Sequence, residues 1–146
     1  MDFNDSVIER FRALGGKLPG PAEGSALLLL HTRGARSGAE RVNPVTYQPL
    51  ADGWAIFAAH AGAANHPAWF HNLVANPETI IEIGTETVPV RARVAIGEER
   101  ERIWERQKAF YPRFAKYEEQ TTREIPVVVL ERITARRPGS RALELG

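Results

Sequence analysis

The sequence predicts an α+β domain built on a mainly antiparallel sheet that curls or closes on itself. Two observations carry this. About six strand-like segments are interleaved with roughly three or four short helical ones, and successive strands are mostly joined by turns rather than by crossover helices, which argues against a doubly wound parallel sheet. The chain's 146 residues fit one domain, 1–146, and a chain of that size buries roughly 70% of its unfolded surface, enough for a real core.

Residues 2–14 read as an amphipathic helix, because Phe3, Val7, Phe11 and Leu14 recur on one helical face. Gly15 and Gly16 stop it, and "KLPGPAEG" is a loop. "SALLLLHT" is too short for an independent helix and reads as a buried strand. "RVNPVTYQPL" is extended, with Pro44 and Pro49 pushing it toward a sheet edge or a bulge. Asp52-Gly53 signals a tight hairpin into the strand "WAIFAA". "AGAANHP" is a loop and "AWFHNLVA" a short helix with Pro67 near its first turn, ended by Asn76-Pro77.

"ETIIEI" and "TVPVRARVAI" form a second hairpin around Gly84, with Val88, Val90, Ala92, Val94 and Ile96 on one face and Arg91 and Arg93 on the other. "EERERIWERQKAFY" is a helix whose early glutamates suit the positive end of its dipole. Pro112 breaks it, "RFAKYEEQTT" continues helically, and "IPVVVLERI" is the last strand. The tail from Thr134 is expected to be loose.

Composition is ordinary, with 43% hydrophobic residues, 25% charged residues and a formal net charge of +1. No stripe of alternating basic and aromatic residues is evident, so a nucleic-acid partner is not expected. There is no cysteine, which excludes disulfides, thiolate metal sites and cysteine nucleophiles and makes a reducing cytoplasm the default expectation. The acidic start "MDFNDSVIERF" lacks the apolar run of a secretory signal. Its helix could touch a membrane surface, packing on the sheet being the alternative.

Three stretches can carry chemistry. "RGARSGAERVNP" packs arginines, glycines and a serine between two apolar segments. It is neither a Walker loop nor a dinucleotide fingerprint. Its glycines would let backbone N–H groups converge on an anion, Ser37 adds a hydroxyl, and Arg36 and Arg41 can fork onto phosphate or carboxylate oxygens. Spacing alone leaves this reading level with that of a solvated hairpin.

In "HAGAANHPAWFHNL" the small residues from Ala58 to Ala64 leave room for a flat ligand against the backbone. The helix near Pro67 offers free N–H groups, and Trp69 could stack on a ring or sit in the core. His60, His66 and His71 have poor helical spacing and no accompanying carboxylate, so capping by Asn65 or His66 is favoured over metal binding.

In "FYPRFAKY", Tyr111, Phe114 and Tyr117 share a face. That face is either core or an aromatic wall over a planar substrate with tyrosine hydroxyls as proton donors. No nucleophile elbow, Ser-His-Asp arrangement or paired-carboxylate site stands out, which points to chemistry borrowed from a cofactor.

Taken together, "GARSGAERVNPV", "NHPAWFHNLVANP" and "REIPVVVLE" resemble the deazaflavin-dependent nitroreductase family of actinobacteria, over about Leu27 to Glu131. The resemblance implies a split β-barrel related to flavin-mononucleotide-binding barrels. It also implies coenzyme F420, a deazaflavin whose tail carries a phosphate and a polyglutamate, and no metal. On this likeness Arg36, Ser37, Gly38 and Arg41, with Ala39, Asn43 and Pro44 of the same motif, match the phosphate-binding loop.

Ala58, Ala59, His60, Ala61 and Gly62 match the segment that meets the deazaflavin ring, and Pro67, Trp69 and Asn72 the helix that closes the pocket. The family often carries Ser-Lys-Gly-Gly where this chain has Ala59, His60, Ala61 and Gly62, a lysine where it has Arg36, and in its best-studied members a tyrosine where it has Phe114.

The expected reaction is hydride transfer from the reduced deazaflavin to an electron-poor acceptor, a quinone first and a nitroaromatic second, with Tyr111, Tyr117 or water supplying the balancing proton. The alternatives are a flavin-mononucleotide reductase of the same barrel type and a non-catalytic carrier of a cofactor or lipid.

Overall fold

The computed structural model describes residues 3–16 and 26–133. Six strands close into one antiparallel barrel: β1 (Leu27–Arg33), β2 (Glu40–Leu50), β3 (Gly53–Phe57), β4 (Glu78–Ile83), β5 (Glu86–Val94) and β6 (Val127–Arg132), in the spatial order β1-β2-β3-β6-β5-β4. Four helices decorate it: α1 (Phe3–Ala13), α2 (Ala68–Ala75), α3 (Gly97–Phe110) and α4 (Arg113–Glu119). The closed antiparallel sheet expected from the turn-linked strands is therefore present. The 17–24 loop and the tail from Thr134 lie outside the described residues.

Alternation along the strands builds two cores. Leu28, Leu30, Ile56, Ile81, Val88, Val90, Val128 and Leu130 converge from five strands on one apolar cluster, which Trp69 and Leu73 of α2 complete. The opposite faces of β3 and β6, through Ala55, Phe57, Val127 and Val129, pack on Ile103 and Trp104 of α3 and Phe114 of α4. Strand β6 is thus buried on both sides, which explains its unbroken run "VVVL".

The prolines of β2 do not mark a sheet edge. The Tyr47 N–H donates to Ala26 O, so alternate residues 45, 47 and 49 turn their nitrogens toward β1, and Pro44 turns its own toward β3. Strand β1 pairs only as far as Thr46 and β3 only as far as Tyr47. Among the described residues, each proline therefore stands where the neighbour on its nitrogen side has run out. At the β2–β3 hairpin, Leu50 faces Gly53, so Ala51 and Asp52 are the loop and Gly53 opens the strand, where a Cβ would strike Leu130 O.

Two apolar faces end earlier than their periodicity suggests. Val88 and Val90 are buried, but Val94 and Ile96 are exposed: pairing of β5 with β4 stops at Arg91 and with β6 at Val94, ahead of the α3 start. In α1, Phe11 is buried while Leu14, beyond the last helical turn, is exposed. The helix is held to the barrel by Arg12, whose Nε and Nη2 donate to Glu82 on β4 at 3.0 and 2.6 Å. His31 Nε2 reaches the same carboxylate at 2.7 Å.

Candidate active site

The hairpin loop between β1 and β2 folds on its own backbone. Gly34 N–H donates to Ala39 O at 2.8 Å, Gly38 N–H to Gly34 O at 2.9 Å, and Ala39 N–H to Ser37 Oγ at 3.1 Å. Gly38 has φ 73, a left-handed value that lets the chain reverse with nothing crowding it. The next element locks the loop from outside: Asn72 of α2 accepts the Ala35 N–H on Oδ1 at 3.0 Å and directs Nδ2 toward Thr32 Oγ1 at 3.4 Å.

This bonding corrects one expectation. The N–H groups of residues 34, 35, 38 and 39 are already taken, three by acceptors within the loop and that of Ala35 by Asn72, so they do not form a cradle for an anion. What the loop presents instead is side chains. Arg36 and Arg41 are exposed and make no ion pair or hydrogen bond among the described residues. Ser37 Oγ already accepts from Ala39, which leaves its O–H free to donate.

Those side chains line a cleft of about 990 Å³ with Asn43, His60, Pro67, Ala68, Trp69 and His71 among its other walls. The lining holds two arginines and two histidines and no carboxylate. The N-terminus of α2 opens into it, with Pro67 at the cap position and no side-chain cap, so neither Asn65 nor His66 caps this helix. Uncapped N–H groups and the helix dipole add to the positive character of the cleft. Trp69 contributes to the cleft wall while only 8% exposed, and it belongs to the barrel core as well.

Of the remaining residues singled out from sequence, Gly38, Ala39 and Pro44 shape the loop and β2 without reaching the cleft lining. In the segment 58–62 only His60 lines it. Ala58 and Ala59 are buried, and the space against Gly62 is filled by α4: a Cβ there would meet the Gln120 side chain, with Tyr117 O 3.2 Å away. At Gly62 the missing side chain thus admits the end of α4, while Ala61 and Ala64 remain exposed. Three successive residues, His60, Ala61 and Gly62, have φ of 49, 51 and 81, a left-handed turn that costs roughly 1–2 kcal/mol at each non-glycine position.

The aromatic stretch divides. Phe114 is 5% exposed and packs edge-on to Phe57 and Tyr117 at 5.7 and 5.2 Å between ring centroids, so it is core. Tyr111 and Tyr117 are half-buried on the same cluster and lie outside the cleft lining, although α4 abuts the 60–62 turn. Tyr47 of β2 joins them: burial, and then Tyr111, push its phenol above its ordinary value. Arg113 stacks over the Tyr111 ring at 5.0 Å and reaches Thr46 Oγ1 at 3.3 Å.

Arg123, between α4 and β6, was quoted in a motif but given no role by sequence reasoning. Its guanidinium donates to Ala58 O, Ala59 O and Ala63 O at 3.1, 2.9 and 3.0 Å and to His66 Nδ1 at 2.8 Å. His66 is accordingly held in the neutral Nε2–H tautomer. Burial, then Arg123 and His71, push its ring below the usual histidine value. Among the described residues no group of three or more His, Asp or Glu is placed to hold a metal ion.

Comparison with known proteins matches residues 5–132 to the family model described as F420H(2)-dependent quinone reductase. An F420H(2)-dependent quinone reductase of Mycobacterium tuberculosis (strain ATCC 25618 / H37Rv) is 34% identical over 122 residues, 82% of this chain and 80% of that one. A second protein of that strain, named for the same activity, is 40% identical over 103 residues, 70% of this chain and 87% of its own. Among solved structures, an F420-H2 dependent reductase (FDR-A) superposes with a TM-score of 0.66 at 36% identity, covering 72% of this chain and 93% of that one.

Proposed function

The chain belongs to the F420H(2)-dependent quinone reductase family, and from that premise we propose that its carboxylate-free arginine cleft holds the anionic portion of coenzyme F420 while a quinone is reduced beside it. It is an F420-dependent oxidoreductase with the split-barrel fold. The observation that carries the cofactor assignment is the pair of unpartnered guanidiniums, Arg36 and Arg41, in a cleft without a single acidic side chain. Two guanidiniums that converge on one carboxylate-free cleft beside an uncapped helix start form a site for phosphate or carboxylate oxygens.

The donor set fits a cofactor with an anionic tail. Arg36 and Arg41 bind its oxygens in forked pairs, Ser37 Oγ–H adds a donor, and Trp69 and Pro67 exclude water on the opposite wall. When bound in its reduced form, the deazaflavin supplies the hydride. Asn72 orients the arginine loop, and His60, whose Nδ1–H donates to Asn65 O at 3.0 Å, presents Nε2 to the cleft. Tyr111 and Tyr117, across the 60–62 turn, hold the balancing proton at Oη for the acceptor.

The test is equilibrium titration of the protein with F420 and, in parallel, with flavin mononucleotide. F420 binds in preference, and Arg41→Ala raises its dissociation constant at least roughly tenfold, the loss of one charge-assisted contact. Turnover of reduced F420 with menadione separates a reductase from a carrier. An unchanged dissociation constant in Arg41→Ala and Arg36→Ala removes the arginines from the cofactor site.

A further inference from the structure

The left-handed turn His60–Ala61–Gly62 is an unlikely conformation for two residues with side chains, and nothing within the turn explains why it persists. Its own bonds are Gly62 N–H to Ala59 O and Ala63 N–H to His60 O, both at 2.9 Å. The stabilisation comes from outside, at both ends. Arg123 bonds the two carbonyls before the turn and the one after it, and its fourth contact is His66. The segment bearing Arg123 is itself fixed: the buried Arg100 of α3 donates to Ile125 O at 2.7 Å, and Pro126 O accepts the Ala58 N–H at 3.0 Å.

We propose that Arg123 is the positioning residue of the cofactor cleft: it holds the strained turn, and through it His60 and Pro67, in place, and it releases the turn when His66 gains a proton. Arg123 touches neither the cleft nor any reacting group; it acts through the backbone it grips. Its four acceptors span Ala58 to His66, the whole stretch between β3 and α2. A lysine can supply charge at this place but not a planar fork reaching four acceptors.

The coupling to protons follows from the donor rules. Nη1 of Arg123 needs a lone pair on His66 Nδ1, and an imidazolium has none to offer. The groups facing His66 are Arg123, His71 from α2, and the charged residues that share its cavity, Glu98, Arg100, Glu101 and Arg102 of α3 with Glu124. His71 is the second histidine of this cluster, so the His66→Gln comparison isolates the part of the response that belongs to His66 itself.

The experiment reads the turn without the cofactor. Amide hydrogen exchange at Gly62 and Ala63, expressed as protection relative to intrinsic rates, is compared at about pH 7.5 and about pH 5.5 in the wild type, Arg123→Lys and His66→Gln. Protection in the wild type falls at least about fivefold at the lower pH, and in His66→Gln, whose amide oxygen still accepts from Arg123, it does not. In Arg123→Lys protection is lost at least about tenfold at both pH values while β6 amides keep theirs, and F420 binds at least about tenfold more weakly.

Wild-type protection in Arg123→Lys, or an equal pH response in His66→Gln, overturns the proposal. So does an unchanged F420 dissociation constant once the turn has loosened. The inference rests on the proposed cofactor site only for that last measurement. If no form of the protein binds F420, the site assignment and the cleft-positioning role fail together while the exchange data still decide the clamp; should Arg123→Lys not fold, the His66→Gln comparison decides it.

Discussion

Asn72 Oδ1 accepts the backbone N–H of Ala35 at 3.0 Å, so a helix of the chain's middle holds the loop formed near its start. Two residues 37 apart thereby fix the backbone next to Arg36. Asn72→Ala leaves the Ala35 N–H without its partner and costs about 1–3 kcal/mol if that donor stays buried, less if water reaches it. Because Ala35 is exposed, the lower end is expected, and the larger effect falls on F420 affinity. Thermal unfolding together with F420 titration of the variant checks both.

Cofactor affinity should respond steeply to ionic strength. Arg36 and Arg41 are solvent-exposed, and charges at such positions are screened over about 8 Å at physiological salt. Raising salt from about 0.05 to 0.5 M weakens F420 binding in the wild type, and the slope flattens in the Arg36→Ala, Arg41→Ala double variant. Isothermal titration at several salt concentrations measures it; parallel slopes would contradict the assignment.

Phe114 reports on which face of the aromatic stretch is core. Phe114→Ala opens a cavity beside Phe57 and Trp104 and is expected to cost about 3–5 kcal/mol. Phe114→Tyr adds a hydroxyl to a side chain that is only 5% exposed, and without a partner there it lowers stability by about 1–3 kcal/mol. Chemical denaturation of both variants tests the pair of values.

Gly62→Ala should destabilise by about 1–3 kcal/mol, combining the left-handed backbone with the contact to Gln120 on α4. Truncating the obstacle separates the two contributions: Gln120→Ala restores part of the stability in the double variant, and what stays lost is the backbone's share. A double-mutant cycle by urea unfolding provides the numbers.

The docking of α1 carries a pH dependence. The Arg12 guanidinium, followed by His31, holds the Glu82 carboxyl below its ordinary value of 4.5, outweighing an opposing burial effect. A depressed carboxylate stabilises the fold above its unfolded value and loses that contribution as pH falls through its folded one. Unfolding free energy should therefore drop below about pH 4.5, by about 0.5–1 kcal/mol from this pair given that Arg12 is half exposed. Glu82→Gln removes that part of the acid sensitivity in urea midpoints taken between about pH 6 and 3.

The barrel was legible because its strands obey simple rules. "LLLLHT" and "VVVL" are too short and too β-branched or apolar for free helices, and three of the five strand connections are turns. The anion character of the arginine loop was legible from residue type. What escaped was the direction of the backbone: composition cannot tell that four loop N–H groups donate to Ala39 O, Gly34 O, Ser37 Oγ and Asn72 Oδ1, nor that Gly62 makes room for the end of α4.

Arg123 escaped for the same reason. Its acceptors are main-chain carbonyls about 60 residues away, which carry no side-chain signature. The prolines of β2 read as edge signals because each removes a ladder donor, whereas a closed circuit lets each end of the strand use a different neighbour.

That circuit has a consequence for behaviour in crowded solution. A closed sheet offers a second molecule no full-length ladder to extend, and the long strand β2, which changes neighbours midway, carries an imino acid on each of its unpaired sides. Aggregation by strand addition then requires the barrel to open first, so resistance to fibril formation should track resistance to unfolding.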